Sequence, residues 1–105
     1  MKTSEILVSA RALIENPLHW MQGDYIKEAE NEPTCYCSLG AIGEVVGVDW
    51  YGDVLNGMPA KLLARVVEGE IPKDCTFAPY NDSHTHDEVL AAFDKAIALA
   101  LTTEV

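Results

Sequence analysis

The sequence predicts an all-α protein, a compact single domain over residues 1–105 with about four helices and irregular loops. Three observations predict it. Apolar residues recur at helical spacing in four stretches, and cap or breaker residues stand at their ends. No segment shows a convincing strand alternation, although a short extended pair around Ile71 and Phe77 stays open. At 105 residues and 49% hydrophobic content, the chain suffices for one modest core and is too apolar for global disorder.

In chain order, residues 4–15 read as the first helix, with Ile6, Leu7, Ala10, Leu13 and Ile14 on one face. Thr3 or Ser4 is placed to cap it, and Asn16-Pro17 ends it, because the residue before proline leaves the α region. Trp20 then reads as a core anchor whose indole N–H needs an acceptor. Residues 24–33, with Asp24, Glu28, Glu30 and Glu32 against Lys27 alone, read as a solvated loop. The second helix runs from Thr34 or Cys35 to Val46 and stops at Gly47. Gly40 and Gly43 inside it each cost about 1 kcal/mol relative to alanine, so close packing must offset them.

Residues 49–53 read as a turn bearing Trp50 and Tyr51, followed by an Asn56-Gly57 turn. Pro59 opens the third helix, whose face is Leu62, Leu63, Val66 and Val67, and which stops near Glu68-Gly69. Residues 71–79 read as irregular. The fourth helix has the clearest start: Thr85 at the N-cap and Glu88 at N3 form a capping box, and the apolar stripe from Val89 to Leu101 follows.

Seventeen acidic residues against seven basic ones give a net charge of −10. That disfavours direct binding to nucleic acid or anionic lipid and leaves a protein partner with a basic surface open. No apolar run approaches the ~20 residues of a membrane span, and the N-terminus leads into an amphipathic pattern rather than a leader's apolar block. A cytoplasmic location is expected, and there the three cysteines stay reduced. A Cys35–Cys37 disulfide would close a small, strained ring.

Cys35, Cys37, Cys75, His84 and His86 include zinc-ligand types, but C-x-C and H-x-H are not the spacings of common zinc sites. Within one helix, Cys35 and Cys37 would also point about 200° apart. No metal and no cofactor is expected. Cys37 near a helix N-terminus, with histidines, Asn81 and Asp82 elsewhere, has the elements of a cysteine nucleophile, though no local catalytic signature surrounds it. Residues 80–83 (Tyr80, Asn81, Asp82, Ser83) read as a turn whose side chains bond nearby backbone or close over the N-terminus of the second helix. Trp20, Trp50 and Tyr51 are candidates for an aromatic-rimmed surface.

Several motifs occur in order along most of the chain: Ala10-Arg11-Ala12-Leu13-Ile14, Trp20-x-Gln22-Gly23, Cys37-Ser38-Leu39-Gly40-Ala41-Ile42, Asn81-Asp82, and Thr85 with Glu88-Val89-Leu90. In these the chain resembles a family of small actinobacterial and phage-borne proteins of unknown function. The departure is Tyr80, where that family carries tryptophan. The resemblance implies a fold and a context rather than an activity. Of the cysteines only Cys37 matches, so Cys35, Cys75, His84 and His86 gain no role from it.

The leading expectation is a small intracellular binding or regulatory protein, phage- or mobile-element-encoded, that acts on a protein partner through an acidic and aromatic surface. Its candidate contacts are Trp20, Cys37, Trp50, Tyr51, Tyr80, Asn81 and Asp82. The alternative is a small enzyme or ligand-binding protein whose site at a helix N-terminus gathers Cys37, Asn81 and Asp82. A third is an acidic mimic of DNA, which needs carboxylates arrayed on one face.

Overall fold

Helix α1 (Thr3–Ile14) exists because Leu7, Ala10 and Ile14, spaced three and four apart, form one fully buried stripe. In the computed structural model, which describes residues 1–48, 51–72 and 75–104, that stripe packs chiefly against two other helices. These are α2 (Ser38–Val46), which contributes Leu39, Ala41 and Ile42, and α6 (His86–Thr103), which contributes Val89, Phe93, Ala96 and Ala100. A further helix, α4 (Met58–Val66), lays Ala60, Leu62 and Leu63 on α6. The buried residues form one cluster, and the radius of gyration of 12.7 Å matches the ~13 Å of a compact chain this long. No described helix is long and apolar enough to cross a membrane.

The chain is mainly helical as read, but four helices is an undercount. Two short ones, α3 (Tyr51–Leu55) and α5 (Ala78–Ser83), stand where turns and irregular chain were expected. Neither is long enough to be stable alone; buried Val54 anchors the first, and Phe77, Tyr80 and Asn81 anchor the second. A 3₁₀ turn (Pro17–His19) follows α1, with the Asn16 side chain accepting from Leu18 N. Residues 24–33 are not all loop either. Strand β1 (Ile26–Lys27) pairs antiparallel with β2 (Cys35–Tyr36), in the register Ile26↔Tyr36 and Lys27↔Cys35. The remainder of that stretch, Glu28 to Pro33, is exposed.

Boundaries move for identifiable reasons. Cys35 belongs to β2, and α2 starts three residues later, with extended Cys37 as its N-cap. Gly47 closes α2 at φ 72°, a conformation glycine adopts without steric cost. Neither Thr3 nor Ser4 caps α1. Lys2 holds that position, its backbone N–H donating to Glu5 Oε1 at 2.8 Å. Ser4 instead meets the other end of the molecule, donating from N and Oγ to the Glu104 carboxylate at 2.8 and 2.7 Å. Helix α4 begins at Met58 with Pro59 in its first turn, and ends at Val66. The Thr85–Glu88 capping box of α6 forms as read, with both reciprocal bonds present.

Candidate functional site

Three of the motif stretches, Trp20 to Gly23, Cys37-Ser38 and Asn81-Asp82, converge on one buried side chain. Asn81, in α5 and 1% exposed, turns its amide toward the N-terminus of α2. Its Oδ1 accepts from Trp20 Nε1 (3.0 Å), Ser38 N (3.1 Å) and Ser38 Oγ (2.7 Å). Its Nδ2 donates to Met21 O (3.0 Å) and Asp82 Oδ1 (3.2 Å). Both amide hydrogens and the oxygen are therefore committed. Ser38 N is one of the donors a helix leaves without an internal partner, so Asn81 caps α2 from outside the helix.

Around this hub the link after the 3₁₀ turn is tied down on both sides. Gln22 Nε2 donates to the carbonyls of Asn81 and His84, each at 3.0 Å, and Gly23 N donates to Asp82 Oδ1 at 2.9 Å. On the other side Met21 N donates to Tyr36 O, and Cys37 N to Tyr25 O, both at 3.0 Å. The Tyr25 carbonyl lies so close to α2 that a Cβ at Gly40 would fall on its oxygen. Glycine there is a condition of the close approach, which answers the helix-propensity cost noted in the sequence.

Cys37 is 4% exposed, and its Sγ accepts from Gly40 N at 3.3 Å. Burial pushes the thiol's pKa up. The N–H groups of Gly40 and Leu39 pull against that, and the carboxylates of Asp82 and Asp24 add to it. At neutral pH the group is a protonated, poorly nucleophilic thiol. It forms part of the wall of a cavity of about 250 Å³, shared with Gly23, Asp24, Tyr25, Ala78 and Asp82.

Asn81, Asp82, Cys37 and Trp20 thus lie together, linked by hydrogen bonds or by the shared cavity. Tyr80 is buried away from them, its ring against Phe77 on one side and stacked on His84 at 3.6 Å on the other. Tyr51 is half-buried and stacks on Tyr25, with centroids 4.1 Å apart and planes within 7°. Trp50 lies outside the described residues. Trp20 leans on His86, whose Nε2 donates to Ile14 O at 2.6 Å. Cys35 and Cys75 are half-buried thiols, Cys35 Sγ donating to Leu18 O at 3.1 Å. Among the described residues, no three His, Cys, Asp or Glu side chains gather as a metal site would need.

Ser38, Tyr25 and Tyr36 were not singled out by the sequence as site residues, and all three prove central. Ser38 carried a signal in standing directly after Cys37 at a helix start. Tyr25 and Tyr36 carried none, because only the pairing of β1 with β2 brings them to this end of α2.

These features define a small helical protein knit around a buried asparagine that caps its central helix. A model described as a family of unknown function, DUF6197, matches residues 1–99, and the chain belongs to that family. The match bears out the expectation of an uncharacterised family. No curated protein and no solved structure matches the chain.

Proposed function

We propose that this is a small binding or regulatory protein of the cytoplasm that acts on a protein partner through an acidic, aromatic surface. The observation that carries the reading is the commitment of the polar groups at the candidate centre. Asn81 uses every donor and acceptor of its amide within the fold, and Cys37 is buried and held protonated. Neither is left to orient or attack a substrate. The net charge of −10 supports a partner with a basic surface. A phage- or mobile-element origin belongs to the same reading and rests on the motif resemblance alone.

Capture on the immobilised protein, from a lysate of the source cell at low and moderate salt, tests the proposal. The expected result is one stoichiometric basic protein whose retention weakens with salt. Capture of nothing above background at either salt overturns it.

One observation favours the second reading, a ligand-binding site: the cavity of about 250 Å³ beside Cys37 and Asp82. It predicts that a small molecule protects Cys37 further or shifts the Gly23 and Asp82 resonances. A panel of metabolites that leaves both unchanged removes that reading.

A further inference from the structure

A second cavity, of about 260 Å³, lies where the turn after α4 meets α5 and α6. One wall is a ridge of α6. Glu88, Ala91, Ala92 and Lys95 fall three, four and seven residues along one helix face, with a carboxylate at one end of the alanines and an ammonium at the other. The two charged residues start about 10.5 Å apart along the axis, and helical side chains lean toward the N-terminus, which carries Lys95 over the alanines. Val67 and Glu70 supply the other wall. Gly69, at φ 96°, and a bond from Glu70 N to Val67 O at 2.9 Å make the tight turn that brings Glu70 there.

Tyr80 completes the lining, and its phenol marks the cavity as a site. The residue is 6% exposed, and Phe77 and His84 cover the two faces of its ring. The edge of the ring is what remains to meet the cavity. Among the described residues, Tyr80 makes its hydrogen bonds through the backbone, its carbonyl accepting from His84 N, and none reaches the phenol oxygen. Burial, then Glu70 and Glu88, pushes the phenol's pKa up, which agrees with a hydroxyl set beside those two carboxylates. The hydroxyl therefore stays protonated, with its capacity to donate and accept left for a ligand. Lys95 forms no ion pair with Glu70 or Glu88, although all three line the same space; both ion pairs among the described residues are Arg11's.

We infer that this cavity binds a small zwitterion, a free amino acid. Its ammonium is held by Glu70 and Glu88, with Tyr80 Oη as a further acceptor, and its carboxylate by Lys95, while its carbon chain lies on Val67 and the alanines. A simple amine would leave Lys95 opposing it, and a simple anion would meet two carboxylates; a molecule carrying both charges suits all three groups. The volume fits a ligand smaller than a drug-sized one. This adds a small-molecule site to the protein-binding reading and does not depend on it.

The test titrates the intact ¹⁵N-labelled protein, in a buffer free of amines, with alanine, γ-aminobutyrate, butylamine and butyrate. At least one of the two amino acids is expected to bind severalfold more tightly than butylamine, the range of one exposed ion pair, with butyrate weakest. Shifts should centre on Glu70, Tyr80, Ala91, Ala92 and Lys95. Tighter binding of alanine places the ligand among α-amino acids, and tighter binding of γ-aminobutyrate among those with separated charges; either supports the inference. Lys95→Gln should erase the margin of the amino acid over butylamine while leaving butylamine itself no weaker, a change that a structural role would not produce. Tyr80→Phe removes only the hydroxyl and should weaken amino acid and amine alike, about five- to tenfold. Lys95 is exposed, so Lys95→Gln keeps the test decisive if Tyr80→Phe unfolds.

Butylamine binding as tightly as both amino acids means an acidic cleft that takes any cation, and overturns the inference. So does a margin that survives Lys95→Gln, or a folded Tyr80→Phe that binds as the parent does. Shifts centred on Gly23 and Asp82 assign the ligand to the cavity beside Cys37 and overturn it too. Absence of saturable shifts with every compound up to ~10 mM removes the site.

Discussion

At the scale of single residues, Asn81 is defined by the hydrogen bonds it makes and Gly40 by the Tyr25 carbonyl it faces. Asn81→Ala strips the partner from Trp20 Nε1, Ser38 N and Ser38 Oγ, and leaves Met21 O without its donor. Each buried polar group left unpaired costs ~1–3 kcal/mol, so the loss should reach about 3 kcal/mol even if water reaches some of them. Urea denaturation measures it, and a loss under about 1 kcal/mol means the hub is not a stabilising element. Gly40→Ala sets its Cβ on the Tyr25 carbonyl oxygen, which is backbone and moves only if β1 detaches. Overpacking typically costs ~1–3 kcal/mol, and here the upper end or outright failure to fold is expected. Gly47→Ala serves as the comparison, since its φ of 72° meets open space and it carries only the left-handed penalty of ~1–2 kcal/mol. None of the three effects follows from composition. The sequence shows two costly glycines in a helix, but that the Tyr25 backbone approaches Gly40 and the Tyr51 ring approaches Gly43 is a property of the assembled chain.

Elements were legible in proportion to how local their determinants are. Helix α6 announced itself because Thr85 and Glu88 cap it within a single turn and its stripe runs unbroken to Ala100. The start of α2 did not: Cys37 Sγ takes Gly40 N locally, but Ser38 N is taken by Asn81, 43 residues further on. Strands of two residues show no alternation to read, and the five- and six-residue helices are stabilised by what they bury. The same logic separates two carboxylates. Glu88 is held below the ordinary 4.5 by Thr85, within its own helix, whereas Glu104 is held below it by Ser4, across the molecule. A carboxyl with a depressed folded pKa adds stability above its unfolded value and loses it as pH falls through the folded one. Glu104→Gln should therefore lower the melting temperature at pH 7, and the deficit should shrink once pH drops below 4.5. Melting curves from pH 7 down to pH 3 check this. A deficit that stays constant over that range assigns the effect to packing rather than to the charged cap.

For the whole molecule, mainly helical architecture was readable from periodicity, while the meeting of Trp20, Ser38 and Asn81 depends on long-range closure that spacing cannot encode. That closure decides whether Cys37 is reactive. Its thiol is 4% exposed, in the wall of the cavity it shares with Gly23, Asp24, Tyr25, Ala78 and Asp82, so rapid labelling needs these residues to move apart. A domain of this size has a total stability of about 5–15 kcal/mol, and the opening that exposes Cys37 draws on much of it. Every 1.4 kcal/mol of opening free energy slows labelling tenfold, so protection of about a thousandfold needs only ~4 kcal/mol. With a neutral alkylating reagent at pH 8, the half-buried thiols of Cys35 and Cys75 should react first, and Cys37 at least about a thousandfold more slowly. The dependence on denaturant is the sharper observable. If Cys37 is structural, low urea speeds its labelling in step with the opening equilibrium, because exposed surface sets the slope. A catalytic thiol would label fast in the native state and lose that advantage as urea loosens the site. Peptide mapping of the labelled protein separates the two outcomes, and fast, urea-independent labelling of Cys37 would make the binding reading untenable.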